Sequence, residues 1–220
     1  QDAFVAAIGM RTLGSEEARE QFLQMGMRLG QINIPQETPQ AEKQALIQAI
    51  GAMVQAAKSD VAMSFPEHKE DVRMMSIYGM FYNSVADPVS AEQVLTVAHK
   101  LAPNKQLLSF DLIRSYLLQK KYADAYALAK TVYDSAPAYP DSQKWYMVSA
   151  AYSGAFKEAR AHLKENGQNV SIDSDILTAV VTTGQIPLAL ELLNELKKTN
   201  PEYSAQVDAF IQKILAQPRK

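Results

Sequence analysis

One interval governs this sequence. Pro103 and Pro137 stand 34 residues apart, Tyr82 and Tyr116 share the step, and Ala91, Ala125 and Ala159 take it twice, as do Leu95, Ala129 and Leu163. When several residue types keep one interval, a single structural unit has been copied along the chain. A unit of 34 residues fits two antiparallel helices and their turns. Each repeated position then has a physical reason. Tyrosine late in the first helix fills the space between helices. Alanine in the second helix sits where it crosses the first closely, and Gly79 supplies the other close contact. Proline ends the second helix, because it lacks an N–H and clashes with the preceding turn.

Four units follow from this register. The first spans about residues 72–103 and the second about 105–137. A third begins near Asp141, with Trp145, Tyr152 and Ala159, and its turn at Ser153-Gly154-Ala155 is about two residues short of the usual form. The fourth runs from Asp173 to Pro201, with Gly184, Ala189 and Leu193 in register. Ala159 and Ala189 are 30 apart, so the linker near Asn166-Gly167-Gln168 departs from the period.

Upstream, Ser15 with Glu16 and Glu17 opens a helix that ends at Leu29, before Gly30. Thr38-Pro39 opens a longer one, from Pro39 to about Ser64, with Pro39 at the first helical position. Its Leu46, Ile50, Met53, Val54, Ala57 and Val61 form one apolar stripe, which is expected to pack along its length. Downstream, Tyr203 to Gln217 carries Val207, Phe210, Ile211 and Ile214 on one stripe and reads as the terminal cap of a solenoid. The expected fold is all-α. Helices over residues 1–70 pack on about four helical-hairpin repeats over 71–203, and a capping helix occupies 204–220.

The period and these positions resemble the tetratricopeptide (TPR) repeat. A second resemblance rests on Leu13-Gly14-Ser15-Glu16-Glu17-Ala18-Arg19-Glu20-Gln21, Asp71-Val72-Arg73, Ala102-Pro103-Asn104-Lys105-Gln106 and Tyr122-Ala123-Asp124-Ala125. Together these are similar to O-antigen ligase/polymerase-like bacterial membrane proteins that carry C-terminal TPRs. The resemblance implies the soluble C-terminal domain of a polytopic membrane protein handling lipid-linked glycans. That family's glycosyl-transfer site lies in the membrane part, so no catalytic residue carries over. Gln1 is read as a processed or trimmed start. Any link to a membrane is expected only through flanking segments.

Other chemistries find little support. Lys and Arg number 22 against 24 Asp and Glu, without the basic stripe of a nucleic-acid binder. The densest charge cluster, Glu67-His68-Lys69-Glu70-Asp71, mixes signs and reads as a solvated connection. There is no cysteine, hence no disulfide or thiolate chemistry. His68, His99 and His162 are scattered and form no metal-ligand pair, so no metal and no cofactor is expected. One of Asp173, Ser174 and Asp175 is expected to cap a helix rather than act as an acid or base. Met25, Met27, Met53, Met63, Met74, Met75 and Met80 crowd the first third of the chain; they read as fillers of irregular core gaps or as an adaptable binding surface.

What remains is a surface. In TPR arrays the first helices of successive units line a concave groove. By register Arg73, Met80 and Asn83 face it from the first unit, Phe110, Arg114 and Leu117 from the second, and Tyr146 from the third. Such a groove suits an amphipathic helix or extended peptide. The long helix after Pro39 is the competing occupant. The expected function is therefore a non-catalytic protein-interaction module. The alternative is a domain that presents glycan, with Tyr78, Tyr82, Tyr146 and Tyr152 stacking on sugars.

Overall fold

The computed structural model describes residues 15–168 and 172–216. Among them are eleven α-helices, one short 3-10 turn and no strand. Leu13, Gly14 and Gln217, which entered the reading of the sequence, lie outside the described residues. The chain divides into two compact units, residues 1–120 and 121–220.

The first unit contains α1 (Ser15–Leu29), α2 (Gln40–His68), α3 (Val72–Ser84), α4 (Pro88–Leu101) and α5 (Gln106–Leu118). α3 and α4 form a hairpin, and α5 packs on both. Local chemistry sets the helix starts. The Asp71 side chain accepts from the amides of Arg73 and Met74, at 2.9 and 3.0 Å, and caps α3. Asp87 accepts from the Ser90 amide, and Pro88 takes the first turn of α4, where a missing N–H costs nothing. Burial alone would raise the Asp87 carboxyl, but the bonds from Lys58 and Ser90 outweigh it and hold the group below its ordinary value.

Small residues let the hairpin close. Ala91 is fully buried in α4, and a Cβ added to Gly79 in α3 would fall 2.3 Å from Leu95 Cγ. Met74, Met75, Tyr78 and Phe81 of α3 and Leu95 and Ala98 of α4 are fully buried. Met74 and Met75 are thus core fillers, whereas Met63 is 74% exposed and Met80 37%.

α1 and the second half of α2 cover α3. Their junction is polar as well as apolar. Arg19 Nε donates to Asp60 Oδ2 at 2.9 Å in a largely buried pair, and Ser64 Oγ meets the Tyr78 hydroxyl at 2.9 Å. Removing one partner of such a pair strands a buried charge, so the contact fixes where α1 docks more than it adds stability.

α2 departs from expectation in two ways. It begins at Gln40, with Pro39 as the flanking residue, and it continues through Pro66 to His68. Pro66 has no N–H to give the Ala62 carbonyl, so the helix forgoes one hydrogen bond where it passes through this residue. In addition, the expected stripe is only partly covered. Ala57 and Val61 are buried and Ile50, Met53 and Val54 half-buried, but Leu46 is exposed, as is its neighbour Ile47, and no residue from Gln40 to Ala56 is fully buried.

The second unit contains α6 (Tyr122–Ser135), α7 (Pro140–Ser153), α8 (Phe156–Glu165), α9 (Ser174–Thr182), α10 (Ile186–Thr199) and α11 (Ser204–Leu215). α7 is its centre and packs on α6, α8 and α9, while α10 carries α9 and α11. Ala125, Ala159 and Ala189 are all fully buried. Gly154 and Gly184 end α7 and the α9 turn with φ of 84° and 74°, a conformation that glycine adopts without strain. Asp173 caps α9 through the amides of Asp175 and Ile176, both at 3.0 Å. On α11 only Val207 and Ile214 of the expected stripe are buried; Phe210 is exposed.

Candidate interaction surface

The seven residues assigned to the groove divide by burial. Arg73, Met80 and Arg114 are exposed and Leu117 is half-buried. Asn83, Phe110 and Tyr146 are interior, at 4%, 5% and 1% exposure. Those three cannot present a side chain to a partner, which corrects the reading from register. The reason is packing from more than one side: α5 packs on α3 and α4, and α7 is enclosed by α6, α8 and α9.

Asn83 is a clamp. Its Nδ2 donates to the Asp111 carbonyl at 2.9 Å, and its Oδ1 accepts from Ser115 Oγ at 3.0 Å, tying α3 to α5. Ser115 also donates to the Asp111 carbonyl at 3.0 Å. This contact orders the surface beside it. Met80 lies one turn before Asn83 on α3, and Arg114 lies one turn past Asp111 on α5. Arg73, further along α3, is held by Glu20 of α1. Leu107 and Leu118 add exposed apolar area at the two ends of α5.

Asp111 itself was not foreseen as a site residue. Burial pushes its carboxyl up to about 6, against a weaker opposing pull from Arg114. No periodic signal marks it, because a single acid in an otherwise apolar helix reads as a solvated position.

In the second unit Tyr146 belongs to a ring stack. Its ring lies parallel to Tyr126 and Tyr133 of α6, with centroids 5.5 and 4.8 Å away, and His162 of α8 meets both Tyr133 and Tyr146 edge-on. The Tyr133 hydroxyl donates to Gln168 Oε1 and accepts from Asn166 Nδ2, at 2.8 and 3.0 Å. Burial raises the Tyr146 hydroxyl well above its ordinary value, consistent with a structural phenol. Tyr122 and Tyr152 form a second stack at 5.3 Å. Of the four tyrosines considered for sugar stacking, Tyr78, Tyr82 and Tyr146 are buried.

A small cleft in this unit is lined by Met147, Phe156, Leu163 and Ile176 together with Arg160 and Lys164. Arg160 is already paired with Glu195. Among the described residues no three His, Cys, Asp or Glu side chains converge to hold a metal ion. Nor is any helix among them long and apolar enough to cross a membrane. No family model, curated protein or solved structure matches the chain.

Proposed function

We propose that this chain is a TPR-like, non-catalytic interaction module whose docking surface in the first unit centres on Met80 and Arg114. The reading rests on one observation above others. The residues that keep the 34-residue step in sequence, Ala91, Ala125 and Ala159, are each fully buried, in α4, α6 and α8, as a helical-hairpin repeat requires. The remaining exposed groups on α3 and α5 combine a polarisable apolar side chain, an arginine and half-buried Leu117. That combination suits a peptide with an apolar anchor flanked by an acid. The resemblance to O-antigen ligase/polymerase-like proteins extends the proposal: the module serves a bacterial membrane protein of surface polysaccharide assembly, and its partner is a protein segment of that machinery.

A random-peptide display selection against the immobilised chain tests this. Selected peptides should carry an apolar anchor beside an acidic residue, and Arg114→Glu and Met80→Asp should each weaken them about tenfold, or about 1.4 kcal/mol, with unchanged melting. If both variants bind the same peptides equally well, the α3/α5 surface is wrong. If no peptide is selected and polysaccharide fragments bind instead, the domain presents glycan.

A further inference from the structure

We infer that the α3/α5 surface takes up an acid together with a proton: the ligand's carboxylate pairs with Arg114, and Asp111 is protonated as it does so. The inference rests on the reading of that surface as the docking site. α5 carries two charged residues, Asp111 and Arg114, three positions apart and therefore neighbours on the helix surface. Arg114 is exposed and Asp111 half-buried, so the cation reaches solvent while the acid sits at the edge of the core. The backbone at Asp111 is held in place. Its carbonyl accepts from Asn83 Nδ2 at 2.9 Å and from Ser115 Oγ at 3.0 Å, and the first of these bonds fastens this turn of α5 to α3.

Few charges stand on the helices packed against α5. On α3 there is Arg73, held by Glu20 and ten residues before Asn83, about 15 Å along the helix. On α4 there are Glu92, His99 and Lys100. Glu92 accepts from Gln119 Nε2 at 2.6 Å, His99 Nδ1 meets Ser109 Oγ at 3.4 Å, and Lys100 is exposed. Arg114 is the charge that bears on Asp111. Its downward pull is outweighed by burial, which holds the carboxyl at about 6.

Arg114 serves two acids once a ligand docks. A carboxylate paired with the guanidinium draws it away from Asp111 and adds a like charge beside it. Both effects favour the neutral form of Asp111. Its proton comes from solvent and returns there when the ligand leaves. The neutral carboxyl has an O–H, so a repelling group becomes a donor to the incoming carboxylate. Burial is what makes the coupling matter. A coupling of about tenfold leaves an aspartate of ordinary 3.8 ionised at neutral pH, but carries one that starts at about 6 up to neutrality. Affinity should therefore be highest and flat below about pH 6, where Asp111 already holds its proton. It should fall as the pH rises from there to the higher value that Asp111 takes in the complex, and then level off.

Titration calorimetry on the whole chain tests this. The probe is a peptide from the display selection, acetylated, amidated and without histidine or cysteine, so that none of its groups titrates between pH 5.5 and 8. It should bind about five- to tenfold more weakly at pH 8 than at pH 5.5. Titrations in two buffers of different ionisation enthalpy should show proton uptake near pH 6.5. Asp111→Asn, which keeps the shape and loses the titration, should bind without that slope or uptake. A second peptide, with the acid replaced by its amide, does not depend on that variant; it should bind more weakly and lose most of the slope. Binding that requires Arg114 yet is equal at both pH values overturns the coupling and leaves the docking reading in place. So does an Asp111→Asn variant, or an amide peptide, that keeps the full slope. Peptides that ignore Arg114→Glu, or no selected peptide at all, remove both. Selected peptides rich in Lys or Arg would also overturn the inference, since Asp111 would then pair with the ligand and stay ionised.

Discussion

Gly79 of α3 stands against Leu95 of α4 so closely that a Cβ on the glycine would lie 2.3 Å from both Cγ and Cδ2 of the leucine. The obstacle is the branch point of Leu95, not the end of a flexible side chain, so it cannot step aside without moving α4. Gly79→Ala should therefore destabilise by about 1–3 kcal/mol. Gly51 offers the control, since nothing lies within 4 Å of the Cβ it would gain. There the same substitution should stabilise by about 0.5–1 kcal/mol, because alanine favours an exposed helix interior. Melting temperatures that move in the same direction for both variants would refute the packing.

Ala125 tests the repeat itself. It is fully buried in α6, whereas Lys130 on the same helix is exposed and pairs with Asp134 at 2.7 Å, one turn away. Ala125→Trp overpacks the crossing and should cost about 1–3 kcal/mol or more. Lys130→Ala removes a surface pair worth only about 0.3–0.5 kcal/mol. Chemical denaturation of the two variants should separate them clearly, and equal midpoints would remove Ala125 from the interior.

Phe110→Ala and Tyr146→Ala should each destabilise by about 3–5 kcal/mol, the usual cost of deleting a buried aromatic. Thermal melts decide this without any ligand. A wild-type melting temperature in either variant would return that residue to the surface.

Asp111 predicts a pH dependence with a definite sign. Its carboxyl sits at about 6 in the folded chain against an ordinary 3.8, so the folded state holds the proton more tightly than the unfolded one. The resulting stabilisation is complete below pH 3.8 and is lost as the pH rises through about 6. Asp111→Asn should thus gain about 1–3 kcal/mol at pH 8 and almost nothing near pH 4. A difference between variant and wild type that does not change with pH would mean that the carboxyl is solvated.

Ser142 and Ser149 of α7 are fully buried, and neither hydroxyl has a hydrogen-bond partner among the described residues. An unsatisfied buried hydroxyl costs roughly 1–3 kcal/mol. Ser149→Ala should therefore be neutral or stabilising by up to about 1 kcal/mol. A clear loss of stability in denaturant titration would show that the hydroxyl is satisfied after all.

The sequence by itself determined what local chemistry and period can carry. Helix content, the extent of α1 from Ser15 to Leu29, a cap among Asp173, Ser174 and Asp175, and the small residues at Gly79, Ala91, Ala125, Ala159 and Ala189 were all legible. Each follows from backbone preference or from a spacing that recurs along one chain. Tertiary structure decided which face of each helix is solvent. Register places Phe110 and Tyr146 toward a groove, but a helix packed on several sides has no free face there, and no one-dimensional pattern counts its neighbours. The same holds for α2. Its stripe is uniform in sequence, yet it is fully buried only from Ala57 onward and grades through half-buried Met53 and Ile50 to exposed Leu46, because burial depends on where other helices end. Asp111 is a further case: it is half-buried only because α5 packs on α3 and α4, and the burial that raises its carboxyl has no mark in the sequence.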